Sequence, residues 1–130
     1  LEPSRELAEQ THTAFMQFSK YLQGPAVECC LLSGGGNSSA QLDQLSEGAD
    51  VVTGTLGRIE CTQGNSFQRR DSSDLFAALV SMDKLSLSDI RFFVLDEADQ
   101  LIGETENFNL IKKLFGKIPK STKPLQVRII

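Results

Sequence analysis

The sequence predicts an α/β fold in which helices flank a mostly parallel β-sheet. Short apolar runs that suit buried parallel strands occur at Val27–Leu32, Val51–Val52 and Phe92–Leu95. The stretches between them contain apolar residues at the three- and four-residue spacing of helices. Strands that alternate with helices imply right-handed βαβ units, and 130 residues suffice for one core of this kind.

The first helix is predicted from Arg5 to Leu22, because apolar residues recur along one of its faces. Ser4 is a suitable N-cap, and the pair Gly24-Pro25 separates the helix from the first strand. A second helix is predicted from Ser39 to Ser46. The residues expected on the buried face of the first helix are Leu7, Thr11, Ala14, Phe15, Phe18 and Leu22.

Two more helices and a final strand are predicted in the rest of the chain. Leu75–Val80 and Phe108–Phe115 show helical spacing, and Gln126–Ile130 has strand-like composition. Four phenylalanines are expected to be core residues rather than platforms on which bases stack: Phe15, Phe18, Phe92 and Phe93.

Composition and charge argue against several classes of protein. No apolar run approaches the ~18 residues that cross a bilayer, and no segment resembles a secretory signal. The net charge of −4 argues against a broad basic surface for nucleic acid. No acid follows Glu106, and the basic residues after it are Lys112, Lys113, Lys117, Lys120, Lys123 and Arg128. We expect a solvated helix face and turn there, with phosphate attraction as the alternative.

The cysteines indicate a reducing compartment. Cys29 and Cys30 are neighbours on a predicted strand and point to opposite faces, and Cys61 has no evident partner. We therefore expect reduced thiols in a nuclear or cytosolic protein. His12 is the only histidine, so a zinc site is not predicted.

The most informative motif is Val94–Asp99, where an apolar strand runs directly into three acids. Open α/β folds bind ligands at the carboxyl ends of their strands. An Asp at this place can hold Mg²⁺ through water, and a following acid can orient an attacking water. Asp96 is therefore the metal candidate and Glu97 the catalytic candidate, with a solvated acidic turn as the structural alternative.

Three further blocks precede the acids in a fixed order: Pro3–Gln10, the pair Gly34-Gly35, and Thr55–Arg58. With Asp96–Asp99 they resemble the DEAD-box RNA helicases, matching motif Ia, the glycine doublet, motif Ib and motif II of that family. The stretches Glu2–Thr11 and Leu125–Val127 are most similar to the member that carries a SPRY domain inserted in its first helicase domain.

The resemblance implies that residues 1–130 are part of the first RecA-like, ATP-binding domain of an ATP-dependent RNA helicase, with ATP and Mg²⁺ as cofactors. Asp96 would hold Mg²⁺ through water, and Glu97 would orient the water that attacks the nucleotide. Asp99 would bond to a Ser-Ala-Thr motif further along the chain and so couple the binding and hydrolysis of ATP to the separation of RNA strands. The residues implied in RNA-backbone contacts are Pro3, Ser4, Arg5, Gly34, Gly35, Thr55, Gly57 and Arg58.

Some features depart from the family pattern. Leu56 stands where the family has proline, so we expect a looser turn and weaker RNA affinity. Residues 60–74 are polar and aperiodic, and are expected to form a surface insert. The G-x-x-x-x-G-K-[ST] phosphate loop does not occur in the sequence, so these 130 residues alone are expected neither to bind ATP usefully nor to hydrolyse it.

Two alternatives to an RNA helicase stay open at the level of sequence. One is an RNA-binding or scaffolding protein that has lost turnover, and the other is a helicase that acts on DNA. The expected partners are RNA and RNA-processing or RNA-ligation complexes. The expected location is the nucleus, the cytoplasm or both.

Overall fold

The computed structural model describes residues 1–33, 38–56, 87–119 and 124–130. The predicted insert at 60–74 and the predicted helix at Leu75–Val80 lie outside the described residues. The described elements, in chain order, are α1 (Arg5–Ser19), β1 (Cys29–Leu32), α2 (Ser38–Glu47), β2 (Val51–Gly54), β3 (Phe92–Leu95), α3 (Ala98–Gly103), α4 (Thr105–Lys117) and β4 (Gln126–Ile129).

The strands form two parallel pairs, which confirms the α/β fold with a parallel sheet. Strand β1 pairs with β2, and Leu32 lies opposite Gly54 at the ends of the two strands. Strand β3 pairs with β4, and Leu95 lies opposite Ile129. Parallel neighbours need a crossover connection, and α2 serves as the crossover between β1 and β2.

The first two residues connect these pairs. Glu2 makes a parallel bridge to Thr55, and its N–H donates to the Gly54 carbonyl at 3.0 Å. On the other side, the Leu1 nitrogen donates to the Val94 carbonyl at 2.7 Å, and the Leu1 carbonyl accepts from the Asp96 N–H at 3.0 Å. The segment 1–2 therefore lies between β2 and β3, and the order across the sheet is β1, β2, segment 1–2, β3, β4.

The core lies where the sheet meets α3 and α4. Leu32 and Leu101 are almost completely buried, and Phe93 packs edge-on against Phe115 with ring centroids 6.1 Å apart. Helix α3 was not predicted as a separate element. It is short, and its residues Ala98 and Leu101 belong to the buried core.

Three of the four phenylalanines expected in the core are not buried. Phe93 is, but Phe92 is 62% exposed, because neighbours on a strand point to opposite faces and only one face of β3 is covered in the described part of the chain. On α1, Phe15 and Phe18 are 43% and 70% exposed. The fully buried residue of this helix is Ala8, in its first half, and the helix as a whole contacts β1 and β2.

Gly54 occupies a position that admits no side chain. A Cβ atom there would collide with the backbone carbonyl oxygen of Leu32 on the neighbouring strand. The missing side chain allows β1 and β2 to stay paired up to the point where Glu2 joins the sheet.

The two described cysteines are buried free thiols on β1. Burial raises the pKa of both Cys29 and Cys30, so both are protonated near neutral pH. Within the described residues, no helix has both the length and the apolar character to span a membrane.

Candidate functional site

The parallel arrangement brings several predicted site residues to one edge of the sheet. Asp96 and Glu97 follow the carboxyl end of β3, and Thr55 follows the end of β2. Between them, the segment 1–2 runs in the same direction and continues into Pro3, Ser4 and the start of α1. The acids and the helix start are therefore separated by a single strand-like segment.

The acidic turn is held by backbone hydrogen bonds. The Asp96 N–H donates to the Leu1 carbonyl at 3.0 Å, and the Ala98 N–H donates to the Ile130 carbonyl at 3.0 Å. The side chain of Asp96 bends back so that its Oδ1 accepts the Glu97 N–H at 3.1 Å. Both acids are half-buried, so part of each residue stays accessible to solvent.

Glu97 has an unusual backbone conformation. Its φ of 47° and ψ of 50° are in the left-handed region, and among the described residues it is the only non-glycine residue with positive φ. This conformation costs about 1–2 kcal/mol for an L-residue. Glu97 is the N-cap of α3, and its Oε2 accepts a hydrogen bond from Gln100 Nε2 at 2.7 Å. Strain of this kind is concentrated at functional sites.

Glu2 is a residue of this site that the sequence analysis did not single out. It is only 3% exposed, and its Oε2 has no hydrogen-bond partner. Burial is the main cause that raises the pKa of the Glu2 carboxyl. A side-chain hydrogen bond with Thr11 lowers this pKa, and the nearby Asp96 carboxylate raises it. The sequence does not reveal this role, because a segment of two residues is too short to show the alternation that predicts a strand.

The start of α1 forms the second part of the site. Ser4 is the N-cap as predicted, and its Oγ accepts the Leu7 N–H at 3.3 Å. Arg5 is exposed and forms an ion pair with Glu9, with 2.6 Å between Arg5 Nε and Glu9 Oε1. Free amides and the helix dipole favour an anion at such a terminus, and Arg5 adds a guanidinium.

The turn after β2 is only partly described. Thr55 is half-buried beside Glu2, whereas Gly57 and Arg58 lie outside the described residues, as do Gly34 and Gly35 after β1. Leu56 is 2% exposed and belongs to the core cluster. The side chain of Leu56 therefore fixes this turn to the core, whereas a proline would restrict the backbone φ angle.

Asp99 is exposed in the first turn of α3, close to the start of the helix. A negative charge at this end of a helix is favourable to the helix dipole. The role expected for Asp99, a bond to a Ser-Ala-Thr motif further along the chain, stays a prediction.

The fold and these motifs define the class of protein. The chain matches the DEAD/DEAH box helicase family over residues 1–129 and belongs to that family. It is 42% identical to the ATP-dependent RNA helicase DDX1 of Xenopus laevis over 130 residues, which are 98% of this chain and 15% of that protein. A probable ATP-dependent RNA helicase, ddx1, of Dictyostelium discoideum is 38% identical over 119 residues, which are 92% of this chain and 13% of that protein.

The relatives also confirm the expected subfamily, since DDX1 is the member with the SPRY insert. The chain spans only about one seventh of the length of the curated relatives it matches. Among solved structures, Saccharomyces cerevisiae Dbp5 bound to RNA and ADP BeF3 is similar with a TM-score of 0.67 and 22% identity, over 100% of this chain and 27% of that one. This likeness supports the RecA-like fold.

Proposed function

We propose that this chain is part of the first RecA-like, ATP-binding domain of an ATP-dependent RNA helicase. The observation that carries the proposal is the placement of two sites at one sheet edge. The acids Asp96 and Glu97 lie on one side of the segment 1–2, and the anion-attracting start of α1 continues from that same segment. Membership of the helicase family supports this assignment of roles.

In this proposal Glu97 holds and orients the water that attacks the γ-phosphate of ATP. Its left-handed backbone and its hydrogen bond from Gln100 fix the carboxylate before the substrate arrives. A preset carboxylate does not have to be reoriented during the reaction, which is how positioned groups lower a barrier. If the protein only bound RNA without turnover, a strained acid at this position would have no function.

Asp96 fits a role in holding Mg²⁺. It offers hard oxygen ligands, the type that Mg²⁺ prefers, and one of its oxygens already accepts the Glu97 N–H. Among the described residues, no group of three or more His, Cys, Asp or Glu side chains could hold a metal ion. In this proposal the cation is held mainly by water and phosphates, with Asp96 bonding to its waters. When bound, Mg²⁺ neutralises charge on the phosphates.

RNA is the nucleic acid proposed at the start of α1. Pro3, Ser4, Arg5 and Thr55 would contact the sugar–phosphate backbone, together with Gly34, Gly35, Gly57 and Arg58. Backbone contacts carry little base information, so binding should depend weakly on sequence. The ion pair between Arg5 and Glu9 is exposed and is worth at most about 1 kcal/mol, so exchanging it for a phosphate contact costs little.

Partners and location are part of the same proposal. RNA-processing complexes are the expected partners, and the nucleus or cytoplasm the expected location.

The test is ATP-dependent separation of a short RNA duplex by the full-length protein, compared with its Asp96→Asn variant. We expect the variant to lose both Mg²⁺-ATP binding and strand separation, because the hydrated cation loses its charged partner. Asp43→Asn is the matched control, since Asp43 is an exposed acid on α2. A variant Asp96→Asn that separates strands as fast as wild type would contradict the proposal.

A further inference from the structure

Glu2 is a buried acid that the proposed mechanism does not use. Its side chain is almost entirely removed from solvent, and Oε2 has no hydrogen-bond partner in the described part of the chain. A buried carboxyl with an unmade hydrogen bond costs free energy, commonly ~1–3 kcal/mol. A residue that only filled this space would be expected to be apolar, so the acid calls for a functional explanation.

The position of Glu2 connects it with the acidic turn. Its neighbour Leu1 donates to the Val94 carbonyl and accepts the backbone N–H of Asp96, so Leu1 lies opposite Leu95 and Glu2 lies opposite Asp96 on the adjacent strand. On its other side, Glu2 is fixed by the hydrogen bond from its own N–H to the Gly54 carbonyl. Backbone hydrogen bonds therefore hold the segment 1–2 on both sides, and the sheet sets the position of Glu2 relative to Asp96.

We propose that Glu2 is a positioning residue for the cation held at Asp96, and that its carboxyl strengthens the binding of Mg²⁺ together with nucleotide. In this proposal Glu2 acts through Asp96 and does not itself ligate the ion. The inference rests on the proposed function of Asp96.

The physical reason is electrostatic. Two nearby carboxyl groups in a poorly solvated place repel each other when both are charged, and a cation beside them relieves that repulsion. Both groups therefore favour the cation-bound state over the free state. The bond between the Asp96 N–H and the Leu1 carbonyl keeps the two acids together while the ligand binds and leaves.

The experiment measures the affinity of the full-length protein for a fluorescent ADP at increasing Mg²⁺ concentrations. Glu2→Gln keeps the size of the side chain and removes its charge. We expect the Mg²⁺ concentration at half-saturation to rise about tenfold, with little change in ADP affinity when Mg²⁺ is chelated. The matched control is Glu47→Gln, which removes the same charge from an exposed position on α2 and should leave the midpoint unchanged.

A merely structural role would give a different pattern. Glu2→Gln would then weaken ADP binding equally with and without Mg²⁺, or leave the Mg²⁺ midpoint unchanged, and either result overturns the inference. The conservative variant Glu2→Asp retains the charge and should keep the midpoint within about threefold of wild type. If Glu2→Gln does not fold, a tenfold shift in Glu2→Asp overturns the inference and a shift below threefold supports it.

Asp96→Asn distinguishes this inference from the proposed function. If Asp96→Asn raises the Mg²⁺ midpoint but Glu2→Gln does not, the role of Glu2 is wrong and the function stands. If Asp96→Asn leaves the midpoint unchanged, the proposed metal site itself is wrong, and the inference fails with it.

Discussion

The acidic turn and the start of α1 lie at the same sheet edge but are built differently. Asp96 and Glu97 are half-buried and are flanked by backbone hydrogen bonds, and Glu97 has a strained, left-handed backbone conformation. Ser4 and Arg5 are exposed, and the side chain of Arg5 pairs with Glu9 in a weak surface ion pair. Under the proposed function this difference has a physical reason: chemistry on one small ligand requires a preset geometry, whereas binding a long, uniform backbone tolerates side chains that adjust.

The largest effect of a substitution is expected at the acidic turn. Glu97→Gln keeps the size of the side chain and an oxygen that can accept from Gln100, but removes the charge that orients the attacking water. In the full-length protein, turnover should fall by about 10²-fold or more while nucleotide affinity is retained. Single-turnover hydrolysis and nucleotide titration measure the two quantities separately. Wild-type hydrolysis in this variant would favour the non-catalytic RNA-binding alternative.

A smaller effect is expected at Gly54, which supports both regions through Glu2. Gly54→Ala places a methyl group against the Leu32 carbonyl, so it should destabilise the sheet by about 1–3 kcal/mol. Gly116→Ala is the matched control, because this helical glycine has open space around it and alanine should stabilise α4 by roughly 0.5–1 kcal/mol. Hydrogen exchange of peptides from β1, β2 and α4 in the full-length protein reports the local change. Equal protection in both variants would contradict the close approach of the two strands.

The smallest effect is expected at the exposed helix start. Arg5→Ala should weaken RNA binding about equally for all sequences and reduce the slope of log K against log salt by ~0.7, the value for one phosphate contact on a single strand. Glu9→Gln removes the ion pair but keeps the arginine, so its salt slope should equal that of wild type. A changed sequence preference in Arg5→Ala, with an unchanged slope, would contradict a phosphate contact.

The same comparison explains how much the sequence could predict. The parallel strands and the acids at their carboxyl edge followed from apolar runs that end in charged residues, and Ser4 was recognisable as an N-cap from its place before a helical pattern. The burial of Phe15, Phe18 and Phe92 was predicted wrongly, because periodicity shows that a face is apolar but not that another element covers it.

The importance of Glu2 and the conformation of Glu97 could not be predicted for a different reason. Glu2 acquires its neighbours only when residues 1–2 enter the sheet between β2 and β3, and the contact with β3 joins Leu1 to Val94, 93 positions along the chain. Glu97 has its left-handed φ between two backbone hydrogen bonds of the acidic turn, and glutamate has no intrinsic preference for this conformation.

The central claim is that the nucleotide and RNA sites share one rigid sheet edge, and thermodynamic linkage tests it most directly. RNA affinity of the full-length Glu97→Gln protein is measured with and without Mg²⁺-ATP, and ATP affinity with and without RNA. Two sites joined through the segment 1–2 should each strengthen the other by the same factor, about 5-fold to 150-fold for a typical coupling. ATP and RNA affinities that are independent of each other would contradict the account.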